Sequence, residues 1–516
     1  MAHASDQTEA LNFLNALPAR DPARPDVMRI DTHANVVFLA GALAYKVKRA
    51  VTFPFLDYST LALRKAACEA EITVNQPNAP QIYRRAIPIT REEDGRLALN
   101  GQGTPVEWTV EMNRFHRTDE LDMMAADALF PDTLSNDLAA MMVTAHDGAP
   151  LRNGAGFFAE LESYVEQNEA AFREFPELFA SEDVRHLTET ARTVLASLKA
   201  LILKRGETGL VRRCHGDAHL RNIVLLEGKP VLFDAVEFSD AIATGDVLYD
   251  LAFLLMDLWE RGQPRAANRV FNRYLDQSRL EHGTDGLAAL PFYLMMRAAI
   301  RAKIAASAAA NQTDPDERQR QEDQARAYFG YACRFLEPSR PDLLAIGGLS
   351  GTGKTTLAYS LAPDLGRAPG ARVLRTDVMR KRLYGLTETE KAPEAAYTKE
   401  ASAKVYEALD SGIQNVLAAG HSAIYDAVFA DPAEREKIEA VAHAVEAAFT
   451  GLWLEAPPDT LRTRVEARSG DASDATAHVV DTQLTYDLGR LTWARIDAGN
   501  GPEETANRAR SVLKLS

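Results

Sequence analysis

Cysteine is scarce: three residues in 516, Cys68, Cys214 and Cys333, none forming a CxxC pair. That argues against a disulfide framework or a cysteine-based zinc site, and a reducing cytoplasm fits. No apolar run reaches the ~18 residues of a membrane-spanning helix, so no membrane partner is expected. The opening stretch MAHASDQTEALNFLNALPAR has no basic segment followed by an apolar core, so no signal peptide is expected. Positive charge is in deficit: 58 Lys and Arg against 73 Asp and Glu, a net charge of −15. A protein that coats nucleic acid is therefore disfavoured. Internal repeats and low-complexity tracts are absent. What remains is ordinary for a globular chain, 46% apolar and 25% charged, but too long for one core, so about two to four domains are expected.

The apolar pattern divides the chain. VVFLAG (36–41) and LAYKVKRAV (43–51) read as strands joined at Gly41, and 59–75 as a helix capped by Ser59 or Thr60. Further strands are expected in 81–90, 95–100 and 106–115. Residues 117–210 and 246–338 read as mostly helical, with the polar stretch 308–323 taken as a loop. Two prolines in LEPSRPD (336–342) mark a boundary. Beyond it, short apolar runs alternate with helical segments, which predicts a parallel sheet covered by helices on both faces.

Two stretches carry chemistry. In CHGDAHLRNIVLLEGKPVLFDAVEFSD, Asp217 and Asn222 share a tight loop, and a hairpin brings Asp234 back towards them. A carboxylate to accept a hydroxyl proton, with an amide oxygen and a second carboxylate for magnesium, is what phosphoryl transfer from ATP requires. HGDAHLRN and VLFDAVEF resemble the aminoglycoside phosphotransferase family and its choline-kinase-like and protein-kinase-like relatives, over roughly residues 30–335. The resemblance implies Asp217 as catalytic base, Asn222 and Asp234 as magnesium ligands, His215 as a brace and Asp250 as a structural anchor. It also implies a lysine on the AYKVKR strand, Lys46 or Lys48, gripping ATP and paired with Glu71 or Glu69 on the next helix. EWTVEMNRF (107–115) would be the hinge that reads adenine. The GxGxxG loop of protein kinases is missing, so the phosphate cover must differ. Tyr293, Arg297 and Arg301 are spaced four apart. Arg297 and Arg301 could hold an anionic acceptor, and a basic inter-domain face explains them equally.

The second stretch is GLSGTGKTT (348–356), which follows the apolar run LLAIG and opens a helix. Backbone amides of Gly348, Ser350, Gly351, Thr352, Gly353, Lys354, Thr355 and Thr356 can wrap phosphate, with the Lys354 ammonium on the β- and γ-phosphates and the Thr355 hydroxyl on magnesium. The segment with Asp377, Arg380, Arg464 and Arg468 resembles small P-loop kinases of the polynucleotide-kinase and zeta-toxin-like group. That resemblance implies Asp377 as base, Arg380 as substrate-orienting residue, Arg464 and Arg468 as lid arginines, and Asp426 behind the magnesium. A helix cap at Asp377 and surface ion pairs at the two arginines are the plainer readings.

The expectation is an α/β and α+β multidomain protein. Residues 1–115 and 116–338 form the two lobes of a bilobal protein-kinase-like fold, and 339–516 a P-loop NTPase sheet. Its expected activity is ATP- and magnesium-dependent phosphorylation of hydroxyls on small polar molecules at two sites. One kinase regulated by a P-loop ATPase, and a toxin-type or nucleic-acid-end kinase, are the competing readings.

Overall fold

The computed structural model describes residues 7–17, 27–53, 56–278, 280, 284–467 and 472–515. The chain forms two compact units, one of residues 1–160 and 204–257, the other of residues 161–203 and 258–516. Among the described residues no helix is long and apolar enough to cross a membrane.

The first unit opens with helix α1 (Thr8–Asn15) and strands β1 (Met28–Asp31), β2 (Asn35–Ala40) and β3 (Leu43–Lys48). Helix α2 (Leu61–Asn75) follows, capped by Thr60, whose hydroxyl accepts the Leu63 N–H. Strands β4 (Tyr83–Arg91), β5 (Leu97–Leu99) and β6 (Thr104–Asn113) complete an antiparallel sheet of order β1-β2-β3-β6-β4-β5. Side chains alternate across β3. Tyr45 and Val47 join Phe38, Ile87, Ile89 and Leu14 in one core. Lys46 and Lys48, two residues apart, therefore share the other face. Helix α3 (Asp132–Asp147) leads on to a hairpin of β7 (Ile223–Leu226) and β8 (Lys229–Leu232), and helix α4 (Val247–Glu260) follows. The hairpin turn has two residues, Glu227 and Gly228, both at positive φ (50° and 76°). This turn suits the twist of an antiparallel pair.

The second unit contains helices α5 (Pro264–Gln277), α6 (Leu290–Ala310) and α7 (Pro315–Phe335). The loop expected over 308–323 is shorter than read, because α7 already begins at Pro315. The Asp314 carboxylate caps the N–H groups of Asp316 and Glu317, and proline is tolerated in a first helical turn. Polar composition there reflects an exposed helix face.

Strand β9 (Asp342–Gly348) and helix α8 (Lys354–Leu361) follow, then β10 (Arg372–Arg375), α9 (Thr376–Leu383), α10 (Lys399–Ala418), β11 (Ala423–Asp426) and α11 (Pro432–Ala444). The chain continues through β12 (Ala448–Glu455), α12 (Pro458–Glu466), α13 (Ala477–Gln483), β13 (Ala494–Asp497) and α14 (Pro502–Leu513). The five strands form a parallel sheet of order β10-β11-β9-β12-β13. Leu357, Ala358 and Leu361 of α8 and Ala506 and Ala509 of α14 bury against Leu344, Ile346, Leu452 and Leu454. Helix α10 lies against β10 and β11.

In the compact units, α5, α6 and α7 group with the parallel sheet. Side chains on α5 provide the reason. Strand β10 is the sheet edge, and the fully buried Asn272 acts there as a surrogate strand. Its Oδ1 accepts the Val373 N–H (2.8 Å) and its Nδ2 donates to the Ala371 carbonyl (3.1 Å). Asn268 donates to the same carbonyl, and Arg372 pairs with Asp276 at 2.5 Å. Asn272→Leu strands a buried N–H, at about 1–3 kcal/mol per unsatisfied group. A fall of that size in the free energy of the parallel-sheet unit, read by chemical denaturation of the full chain, is expected.

Candidate active sites

In the first unit, the β3 lysines and the carboxylates around them form one buried network. Lys46 Nζ lies 2.9 Å from Glu71 Oε1 and 2.6 Å from Asp234 Oδ1. Lys48 Nζ lies 2.5 Å from Glu71 Oε2 and also pairs with Glu237. Both lysines thus share Glu71, while Glu69 pairs with Lys65 on the exposed side of α2. Burial opposes the Lys46 charge, but the carboxylates of Asp234 and Glu71 outweigh it and hold its pKa well above the ordinary lysine value. Asp234 responds in the opposite sense: burial works against its charge, yet Lys46 keeps its carboxyl below the usual range.

Asp234 sits at φ 62°, a backbone region uncommon for a non-glycine residue, and neighbouring groups hold it there. The Asp234 N–H donates to Tyr83 Oη (3.1 Å), and the Ala235 N–H to Asn75 Oδ1 (2.7 Å). His215 Nε2 meets the Phe233 carbonyl at 2.9 Å, and the Val236 N–H donates to the His215 carbonyl. Burial lowers the His215 pKa, and Nδ1 accepts the Asp217 N–H, which leaves Nε2 as the donor to Phe233. Asp250 accepts the N–H groups of His215 and Gly216, at 3.3 and 2.8 Å.

Within the loop, Asn222 Nδ2 donates to both the carbonyl and the Oδ2 of Asp217, each at 3.0 Å. That orients the amide and leaves its Oδ1 oxygen for a cation. Asp217 is close enough to Asp234 for its charge to oppose ionisation there. An oxygen-only donor set from Asn222 and Asp234 fits magnesium. Lys46 and Asp234 also line a cleft of about 410 Å³ with Val37, Leu39, Met112 and Phe115. Residues 112–115 of the expected hinge form part of its wall.

In the second unit, the loop between β9 and α8 wraps a cleft of about 720 Å³. Gly351 has φ 87°, and a Cβ there would meet the Leu461 carbonyl oxygen at 2.6 Å, so only glycine fits. Lys354 Nζ rests on the carbonyls of Gly348 (2.8 Å) and Leu349 (3.2 Å). The Thr355 hydroxyl donates to Asp426 Oδ2 at 2.5 Å. These oxygens likewise suit magnesium.

Asp377, in the first turn after β10, lines the same cleft. Burial pushes its carboxyl above the ordinary aspartate value, with Arg375 opposing the shift and Asp426 adding to it. Arg380 is buried, donates to the Ala396 carbonyl and lies 4.8 Å from the centre of the Tyr397 ring.

Three sequence-picked arginines stand elsewhere. Arg464 donates to the carbonyls of Ala498 (2.9 Å) and Gly499 (3.3 Å). It lines a separate cavity of about 280 Å³ with Thr352, Gly501 and Pro502. Arg301 stacks over Tyr328 at 5.5 Å, and Arg297 is buried in α6; neither lines any of these three cavities. Arg468 lies outside the described residues.

Sequence reasoning missed Glu237, Tyr83, Asn75, Asp474 and Gln483. Asp474 accepts from Tyr397 Oη (2.6 Å) and the Ala392 N–H (3.0 Å), and pairs with Lys381 at 3.3 Å. The spacing of Glu237, three residues after Asp234, was the one available signal.

Two family models match the chain, and the first match runs across both compact units. Residues 87–290 match the phosphotransferase enzyme family, and residues 343–486 match the AAA domain. An uncharacterized protein of Mycobacterium tuberculosis is 28% identical over 509 residues, covering 97% of each chain. A choline/ethanolamine kinase family protein from Mesorhizobium loti is 14% identical, covering 64% of this chain and 98% of its own, at a TM-score of 0.36. A sugar kinase from Janibacter sp. HTCC2649 is 22% identical, covering 34% of this chain and 96% of its own, at a TM-score of 0.27. The finer likeness to polynucleotide kinases and zeta toxins is not among these findings. One polypeptide thus carries a segment matching the phosphotransferase enzyme family followed by a segment matching the AAA domain.

Proposed function

We propose that this protein is a bifunctional ATP-dependent kinase whose two sites each transfer a γ-phosphoryl group to a hydroxyl of a small polar molecule. The observation that supports this reading is that the candidate residues of each site fall within one compact unit. Lys46, Glu71, Asp217, Asn222 and Asp234 belong to the first, and Lys354, Thr355, Asp377, Arg380 and Asp426 to the second.

At the first site, Lys46 holds the nucleotide phosphates, Asn222 and Asp234 hold magnesium, and Asp217 accepts the acceptor proton as its oxygen attacks phosphorus. At the second, the loop amides and Lys354 hold the phosphates, Thr355 and Asp426 hold magnesium, and Asp377 is the base. The cavity beside Arg464, walled by Pro502 and small residues, suits a flat base stacked on a guanidinium. Arg464 therefore belongs to nucleotide binding. Arg380 and Lys391 in the larger cleft, set among Asp377, Glu394 and Asp474, favour a polar acceptor.

Titration calorimetry with a non-hydrolysable ATP analogue tests the two-site reading. Wild type should show two sites and Lys354→Ala one, with the survivor's affinity within about threefold. A tenfold shift at the survivor, about 1.4 kcal/mol of coupling, would instead indicate a regulatory P-loop domain. Screening both units against small polar alcohols with labelled ATP identifies the acceptors.

A further inference from the structure

Gln483, the last residue of α13, reaches back to the phosphate-binding loop. Its Oε1 accepts the Ser350 N–H at 2.7 Å. The residue is 8% exposed, and what is exposed lines the cleft that holds Asp377 and Lys354. A backbone N–H can only donate, so Gln483 must present its oxygen to Ser350. The side-chain orientation is thereby set, and Nε2, with two hydrogens, is directed away from Ser350. Among the described residues Nε2 has no hydrogen-bond acceptor. A donor held this way costs little reorganisation when an anion arrives.

The position along the loop indicates which anion. Ser350 lines only the cleft shared with Asp377, whereas Thr352 lines only the cavity beside Arg464 and Pro502. Ser350 therefore marks the acceptor end of the loop, where the last phosphoryl group of a nucleoside triphosphate would lie. A diphosphate would stop short of it.

We propose that Gln483 is a ligand of the terminal phosphoryl group, with Oε1 anchored on the loop and Nε2 donating to a γ-phosphoryl oxygen. This rests on the nucleotide-binding reading of the second unit. It adds a neutral donor, delivered from α13, to the charge of Lys354.

Gln483→Glu is the informative variant. A carboxylate of the same shape still accepts the Ser350 N–H, but it has no donor and repels phosphate. Gln483→Leu loses both contacts. The full-length protein is titrated calorimetrically with Mg–ADP and with the magnesium complex of a β,γ-imido ATP analogue. The P-loop site is assigned as the one lost in Lys354→Ala, and melting curves check the fold of each variant.

The expected result is a tenfold or greater loss of analogue affinity in Gln483→Glu, with Mg–ADP affinity within threefold of wild type. Gln483→Leu should weaken the analogue as well. Unchanged affinity for both nucleotides in Gln483→Glu, with loss only in Gln483→Leu, would reduce Gln483 to a brace for the loop and overturn the proposal. Equal losses for both nucleotides would also overturn it, since the effect would not be at the terminal phosphoryl group. If Lys354→Ala removes no site, the nucleotide reading itself falls, and the role of Gln483 with it.

Discussion

Asp217→Asn is expected to lower acceptor-dependent transfer at the first site by about 10²–10⁴-fold, the usual contribution of a general base. Nucleotide affinity there should stay within about threefold. The substitution is nearly isosteric, and an asparagine oxygen still accepts from Asn222 Nδ2, which now bonds Asp217 Oδ2 at 3.0 Å. The Lys46–Glu71–Asp234 network contains no Asp217 atom, so phosphate and metal ligands are undisturbed. Acceptor-dependent turnover and calorimetric nucleotide binding, measured on the same preparation, separate the two effects. A loss of transfer under tenfold would remove Asp217 from the role of base, and a parallel loss of binding would make it a structural residue of the loop.

Asp377→Asn should produce opposite changes in activity and stability. Transfer at the second site should fall by about 10²–10⁴-fold, again because a base is lost. The unliganded fold should become more stable at neutral pH. Burial raises the Asp377 pKa above its unfolded value. For such an acid, the stabilising contribution is present below the unfolded pKa and is lost as pH rises through the folded one. When ionised, the carboxylate therefore opposes folding, and asparagine removes that opposition. Thermal melts of the unliganded protein at neutral pH should show a higher midpoint for Asp377→Asn. The gap should narrow as pH falls and the wild-type carboxyl protonates. A midpoint that falls at neutral pH would mean that ionised Asp377 supports the fold, as a helix cap does. An exposed helix-cap aspartate would show neither the activity loss nor the gain in stability.

Much of the candidate chemistry was legible because it is local. The glycines of GLSGTGKT and the spacing of Asp217, Asn222 and Asp234 describe one loop and one hairpin, where covalent connectivity keeps the residues together. Alternation on β3 already required Lys46 and Lys48 to share a face. It could not say that Glu71 would serve both, because that depends on how deeply α2 packs on the sheet.

Arg464, Arg297 and Arg301 illustrate the opposite case. Their helical spacing is real, but spacing places side chains on a stripe without saying what the stripe meets. Arg464 meets the carbonyls after β13, and Arg301 meets Tyr328. The proline-rich stretch 336–342 likewise marks where helix α7 must end, and says nothing of what α7 packs against. Asn268 and Asn272 on α5 are unremarkable as a sequence, yet they complete the hydrogen bonding at an edge strand about a hundred residues away, while Asp276 pairs with the Arg372 side chain. Buried backbone groups require partners, and only the fold decides which distant side chains supply them.

From its sequence alone, then, this chain determined two candidate phosphate-handling loops, the carboxylates beside them and the strand and helix types around them, since those follow from short-range connectivity and periodicity. The tertiary structure decided the shared Glu71, the anchoring of Asp234, the reach of Gln483 to Ser350 and the joining of α5 to the parallel sheet. Each of these is a contact between segments far apart in the chain, set by packing that no local pattern encodes.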